Sequence, residues 1–413
     1  MSSSCEPVIS ADRRPMEDPQ PETLPRSARL AILTNMIPPY RRPVLACLSK
    51  RYAHLRVLVS TPLEPNRSWG LNWEGLDVVL QKTITVRGKW RHPKGFEEPL
   101  FIHVPIDTVA QLKRFNAEVI LSAEMGSRTL MSLLYRKLRH TSKLIVWAEI
   151  SESSEQGRGR LRGIFRSILA RHADAFIVYG DSGARYVKRL NVPESKIFIV
   201  PYSTDVSRFA QNSLRRGEEQ ARRFLYVGQL IDRKGLLPFI GVLSQWAAAH
   251  SDCAIELLLA GDGPLRAELK AIGGPTNLKI ELLGDIRYEE APRIYAESGV
   301  FIFPTLADTW GLVVNEALAS GLPVLGSVYS QAVETLVTDG QNGWTFRPDD
   351  AEQTYDAIDR CMNTGVEALD EMRESARASA VKQTPEYVAS LIDEAVMACM
   401  GGNASRSGVA HVR

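Results

Sequence analysis

Two carboxylates, Asp308 and Glu316, stand with seven residues between them in the stretch Phe303-Pro304-Thr305-Leu306-Ala307-Asp308-Thr309-Trp310-Gly311-Leu312-Val313-Val314-Asn315-Glu316. An apolar run ends before the first, and the second falls inside an apolar helical pattern. Gly311 lies between them, where the chain must turn and present backbone N–H groups at a helix start. Such a start attracts anions through its unpaired donors and its dipole. A carboxylate on each side of a bound phosphate can grip hydroxyls, and hydroxyl–phosphate–hydroxyl describes a nucleotide sugar. Asp308 would then face the sugar and Glu316 the ribose. On spacing alone, an ordinary strand–loop–helix crossover with two solvated acids stands beside that reading.

A second constellation is Tyr226-Val227-Gly228-Gln229-Leu230-Ile231-Asp232-Arg233-Lys234-Gly235. A Lys placed just before the second Gly can swing to a diphosphate and stabilise it as a leaving group. Taken alone, Arg233 and Lys234 also read as solvated loop residues. Gly261 and Gly263 form a Gly-x-Gly turn after Leu257-Leu258-Leu259-Ala260, and Gly284-Asp285-Ile286 ends a further apolar run. Such turns are common in doubly wound folds.

Near the front of the chain, Pro38-Pro39-Tyr40-Arg41 makes a stiff loop whose Tyr40 and Arg41 line an acceptor side or merely cap a helix. Glu124 and Glu149 follow the apolar runs 119–121 and 144–147. Ligands of open parallel sheets bind outside the carboxyl ends of strands, so both are candidate acceptor contacts or proton acceptors. Each also reads as a helix N-terminal charge.

The elements that must hold these residues alternate between short apolar runs and helical patterns. The runs are 30–33, 55–59, 119–121, 144–147, 175–178 and 197–200, then 224–227, 255–259, 280–283, 300–303, 323–326 and 344–346. Alternation of this kind predicts an α/β fold with parallel, doubly wound sheets. Two series separated by a polar stretch predict two domains, as does a length of 413 residues. Residues 1–28 are expected to be a disordered leader, with 29–205 a first domain and 206–222 a linker. Residues 223–384 form the second domain, and 401–413 are a loose tail. A composition of 44% hydrophobic and 24% charged residues suits a soluble globular protein. A net charge of +2 gives no argument for nucleic acid. Five scattered cysteines without a Cys-x-x-Cys pair argue against a disulfide framework or zinc site, and for a cytoplasmic location.

Residues 156–173 carry Arg158, Arg160, Arg162, Arg166 and Arg171 and no acid, with Leu161, Ile164, Phe165, Ile168 and Leu169 at helical spacing. A basic amphipathic helix can lie on an anionic membrane surface, and the same stripe can instead be buried in a domain core. The run Lys89-Trp90-Arg91-His92-Pro93-Lys94 adds to this surface, touching sugar rings or headgroups, or covers a sheet edge.

The stretch from Phe303 to Val324 resembles glycosyltransferase family 4, the glycosyl transferases group 1. Glu316, Ala317, Ala319, Gly321, Pro323 and Val324 match the family's Glu-Ala-x-Ala-x-Gly-x-Pro-Val, while Asp308 replaces the Glu that precedes it. The 226–235 stretch resembles the family's Gly-Arg-Leu…Lys-Gly segment, with Lys234 matching and Gln229 standing where Arg is usual. The resemblance implies the GT-B fold, two Rossmann-like domains facing a central cleft, with a last helix at about 385–400 crossing back onto the first. It also implies a retaining, metal-independent transfer of a hexose-type sugar from a nucleoside-diphosphate sugar, with no other cofactor. Asp308, Lys234 and Arg233 would act at the reacting bond. Donor contacts would come from Glu316, Gly311, Leu312, Thr309, Trp310, Gly228, Gln229, Gly261, Gly263 and Ile286. A glycan or lipid-linked acceptor, in bacterial polysaccharide or glycoconjugate synthesis, would place the protein in the cytoplasm, peripheral on the inner membrane face. A non-catalytic GT-B sugar-nucleotide-binding partner protein and a GT-B sugar-nucleotide epimerase are the alternatives.

Overall fold

A computed structural model describes residues 26–65 and 70–401. The expectations for 1–25 and for the tail beyond 401 lie outside the described residues. In chain order the strands are β1 (Arg26–Thr34), β2 (Tyr52–Val59), β3 (Val78–Leu80), β4 (Thr83–Arg91), β5 (Glu97–Pro105), β6 (Val119–Ala123), β7 (Lys143–Ala148), β8 (Ala175–Val178) and β9 (Ile197–Ile199). The second series is β10 (Arg223–Val227), β11 (Ile255–Ala260), β12 (Leu278–Gly284), β13 (Val300–Phe303), β14 (Val324–Ser327) and β15 (Gly343–Phe346). Seven strands form one sheet in the order β3-β2-β1-β6-β7-β8-β9, and six form the other as β12-β11-β10-β13-β14-β15. Both sheets are parallel throughout, as strands joined by crossover helices require.

Alternating side chains of the first sheet go to opposite layers. Val146 and Ala148 of β7 pack with Leu169 and Ala170 of helix Arg160–Arg171. Ile145 and Trp147 join the opposite layer, with helices Arg42–Arg51 and Pro385–Met400. The last helix thus packs on the first sheet. Asp393 anchors it by accepting from Arg26 Nε and Nη2 at 2.9 and 2.7 Å and from Tyr52 Oη at 2.6 Å. Strand β1 accordingly begins at Arg26, inside the segment expected to be a leader. The chain crosses between the sheets a first time near Thr204 and a second time near Gln383, and the Thr204 N–H donates to the Gln383 carbonyl at 3.0 Å.

One element was not expected. β4 and β5 pair antiparallel, from Thr83 opposite Pro105 to Arg91 opposite Glu97, as a ribbon outside both sheets. Its tip reaches the other domain: Lys94 Nζ lies 3.3 Å from Asp349 and 2.9 Å from the Tyr329 ring centre. The 89–94 run is therefore the end of this hairpin and bridges to the second domain, instead of covering a sheet edge. No helix among the described residues is long and apolar enough to cross a membrane.

Candidate functional site

The loop after β13 and the turn after β10 bring three expected residues into direct contact. Lys234 Nζ donates to Asp308 Oδ2 at 2.5 Å, and Arg233 Nη1 donates to the same oxygen at 3.1 Å. Arg233 Nη1 also donates to the Ala307 carbonyl at 3.0 Å, which fixes the guanidinium inward. Burial works against the charge on Asp308. Lys234 and Arg233 outweigh it and hold the carboxyl at about 2, below its ordinary 3.8. Burial lowers Lys234 from its ordinary value, opposed by Asp308 and assisted by Arg233.

Glu316 behaves in the opposite way. It sits on helix Leu312–Ala319, is 7% exposed, and accepts from Tyr295 Oη at 3.0 Å. Among the described residues no cation answers its charge, so burial pushes the carboxyl up to about 7, against the Tyr295 hydrogen bond. The two acids that share a spacing motif therefore differ sharply in protonation. Asp308 is a fixed anion, and Glu316 is poised near neutrality.

Glycines bring the surrounding backbone close. Gly311 opens the helix at φ 105° with no side-chain cap on its first N–H groups, and a Cβ there would lie 2.6 Å from the Phe303 ring and 3.0 Å from Ser330 Oγ. Gly228 and Gly261 adopt φ of 151° and 137°, and a Cβ on Gly261 would strike the Gly228 carbonyl. A Cβ on Gly263 would strike the Leu230 carbonyl. Gln229 is exposed, and its carbonyl accepts from Tyr226 Oη at 2.8 Å. Ile286 and Leu312 are half-buried against the same core as Tyr295. The Thr309 carbonyl is taken by Gln331 Nε2.

Trp310 departs from its expected part. Its indole is 2% exposed and donates from Nε1 to Asn315 Oδ1 at 2.8 Å. A large apolar ring beside a strand end gains more from the core than from the cleft. Only its backbone remains near Asp308, whose carboxyl it helps to hold ionised.

On the opposing domain, Arg41 and Glu149 come together. Arg41 is 5% exposed, pairs with Glu149 through Nη2, donates from the same nitrogen to Tyr179 Oη at 2.9 Å, and lies 4.8 Å from the Trp147 ring centre. Arg41 stands at the cap position of helix Arg42–Arg51, yet its side chain is buried instead of facing solvent: Glu149 compensates for burial and keeps the guanidinium charged. Tyr40 packs edge-on to Tyr202 at 5.5 Å between ring centres, and Tyr202 lies 5.9 Å from Trp310. Glu124 is not part of this group. It has φ 68° and pairs at 2.8 Å with Arg128, which binds Ser60 and Asn35 at 3.0 and 3.2 Å.

The two sides meet directly. Ser151 Oγ donates to the Asp308 carbonyl at 3.2 Å, Gln331 Nε2 donates to the Ile150 carbonyl at 2.9 Å, and Asn315 Nδ2 donates to the Tyr202 carbonyl at 3.3 Å. Sequence reasoning missed Glu98, which accepts from Arg233 Nε across the cleft, and Tyr295, the partner of Glu316. Neither carries a local signal, since each is identified only by a partner distant in the chain.

Comparison with known proteins agrees with this fold. Residues 221–364 match the family model described as Glycosyl transferases group 1. The sulfoquinovosyl transferase SQD2 of Arabidopsis thaliana is 27% identical over 176 residues, 42% of this chain and 32% of that protein. The alpha-D-kanosaminyltransferase of Streptomyces kanamyceticus is 24% identical over 204 residues, 47% and 52% of the two chains. The chain thus spans only a third to a half of these curated relatives. The solved structure of Anabaena Alr3699/HepE in complex with UDP superposes with a TM-score of 0.67 at 15% identity, covering 90% of this chain and 100% of the other. The fold is GT-B, and the chain is similar to the glycosyl transferases group 1 through residues 221–364.

Proposed function

We propose that this protein is a glycosyltransferase that moves a hexose-type sugar from a nucleoside-diphosphate sugar to a glycan or lipid-linked acceptor. The carrying observation is the Lys234–Asp308–Arg233 cluster beside the uncapped helix start at Gly311. It supplies two cations and free N–H groups where a diphosphate would leave, and an ionised carboxylate where a sugar would sit. The relatives that share this segment are named as sugar transferases, and one structure with the same fold holds UDP.

In the proposed reaction the bond from the anomeric carbon to the diphosphate oxygen breaks. Lys234, Arg233 and the helix start meet the charge that develops on the diphosphate, without a metal ion. The acceptor hydroxyl attacks from the same face, its proton passes to the departing phosphate oxygen, and configuration is retained. Glu316 holds the ribose, and Tyr40, Arg41 and Glu149 border the acceptor. We place the reaction in the cytoplasm, in bacterial polysaccharide or glycoconjugate synthesis.

The test is a thermal-shift screen against UDP-, GDP-, ADP- and dTDP-sugars, followed by product analysis with the stabilising donor. Binding to the native state raises the melting temperature by mass action. Lys234→Ala is expected to lower transfer by at least ~10²-fold with an unchanged circular dichroism spectrum. Donor binding without transfer would favour a non-catalytic sugar-nucleotide-binding protein, and recovery of an epimeric donor would favour an epimerase.

A further inference from the structure

Two neighbouring helices turn apolar side chains to solvent. On helix Arg160–Arg171, Leu161 is 83% exposed, Ile164 59%, Phe165 38% and Ile168 51%, and their spacing puts them on one face. Leu169 and Ala170 alone face the sheet from the apolar set, at 1% and 4%. The stripe that could have been core is therefore the outer surface. On helix Ser127–Leu138, Leu130, Leu134 and Leu138 repeat every fourth residue and are 37%, 42% and 60% exposed.

The two helices follow β6 and β7, adjacent strands, and right-handed crossovers put them side by side on one face of the sheet. Leu133 of the first packs into the core that holds Leu169 of the second. The apolar surface thus extends across both helices. Neither helix contains an Asp or Glu, and Lys137, Arg160 and Arg171 are exposed among the apolar residues. The remaining arginines are engaged internally. Arg166 pairs with Glu155, Arg136 with Asp174, and Arg158 lies 3.6 Å over the Trp90 ring.

We infer that this face docks on an anionic bilayer, its apolar side chains entering the headgroup boundary and its basic residues meeting lipid phosphates. Amphipathic helices with this division bind membranes in plane. A second copy of the chain is a poor occupant, because like faces would set cations against cations with no acid to answer them. The loop carrying Ser151 against Asp308 runs directly into helix Arg160–Arg171, so docking brings the mouth of the cleft to the lipid surface. The inference deepens the proposed lipid-linked acceptor, yet it is read without any turnover.

The test is co-sedimentation of the full chain with vesicles of equal phosphatidylglycerol and phosphatidylcholine, and with phosphatidylcholine alone. The anionic vesicles should retain the protein at low salt and release it as salt rises, and the neutral vesicles should bind poorly. The triple variant Leu161→Ser, Ile164→Ser, Ile168→Ser should lose partitioning by at least ~30-fold. Arg160→Gln with Arg171→Gln should lose roughly tenfold and show a flatter salt dependence. Both variants should keep the wild-type melting temperature and UDP response, so failure of the donor reading would show separately. Wild-type protein left in solution with anionic vesicles, or a triple-Ser variant that binds as wild type, would overturn the inference. A wild-type dimer that the triple variant converts to monomer, without vesicle binding, would assign the face to a second copy instead.

Discussion

Arg233 of the second domain donates through Nε to Glu98 on the hairpin of the first, while its Nη1 reaches Asp308 at 3.1 Å. Two cations, Arg233 and Lys234, are therefore already answered by two carboxylates from opposite sides of the cleft. A diphosphate entering this position must take over the share held by Glu98, since Asp308 is fixed within its own domain. Glu98→Gln is expected to tighten UDP binding by ~3- to 10-fold in titration calorimetry, because the competing charge is gone. Unchanged or weaker affinity would show that Glu98 does not compete with the nucleotide.

The two motif carboxylates should separate in nucleotide binding. Glu316→Ala is expected to weaken UDP binding by roughly 10-fold or more, through loss of a charged acceptor for ribose hydroxyls. Asp308→Ala should largely keep affinity for free UDP and instead impair turnover of the sugar donor. Calorimetry on both variants decides, and the opposite ranking would reverse their roles.

Protonation of Glu316 gives a pH signature. Its carboxyl stands at about 7 in the folded protein against an ordinary 4.5, so the folded state holds a proton that the unfolded state releases. The stabilisation is complete below about pH 4.5 and is lost as pH rises through about 7, on the order of 3 kcal/mol in all. Glu316→Gln should remove this slope from chemical denaturation measured between those limits. UDP affinity should rise through about pH 7 in wild type as the carboxylate forms, and the Gln variant should show a flat profile.

Asp393 ties the final helix to the first sheet through Arg26 and Tyr52. Tyr52 is 1% exposed, so Asp393→Ala strands its hydroxyl without an acceptor. Denaturant titration should register a loss of about 2–3 kcal/mol. Tyr52→Phe, which removes donor and unmet demand together, should cost clearly less.

Gly311→Ala should damage both fold and site. It forces a side chain into φ 105° and brings Cβ to 2.6 Å from Phe303. A melting-point decrease equivalent to about 1–3 kcal/mol is expected, with UDP binding weakened alongside because the helix start is displaced.

The strands of both sheets were legible because buried parallel strands are continuous apolar runs, and 175–178 and 300–303 match β8 and β13 residue for residue. The hairpin was not legible. Its strands bury little, mix Ile84 and Val86 with Arg87 and Lys89, and contain Gly88 and Pro99. The amphipathic pattern of residues 160–171 was visible, but periodicity states only that one face is apolar. Whether that face meets a sheet or solvent depends on what the neighbouring helices already cover. Lys234 and Asp308 were assigned to one site by the family resemblance of their two stretches, whereas Glu98 belongs to neither stretch and its partner lies 135 positions away.

The bond from Thr204 to Gln383 ties together the two places where the chain crosses between the sheets. Paired crossings behave like two pins set side by side: the halves can swing about them, but they cannot slide apart. The contact from Asn315 to Tyr202 is made beside the pins. Ser151 must leave Asp308, and Arg233 must leave Glu98, before the mouth can gape. Any widening of the cleft therefore breaks polar contacts on the far rim first, while the paired crossings can stay joined.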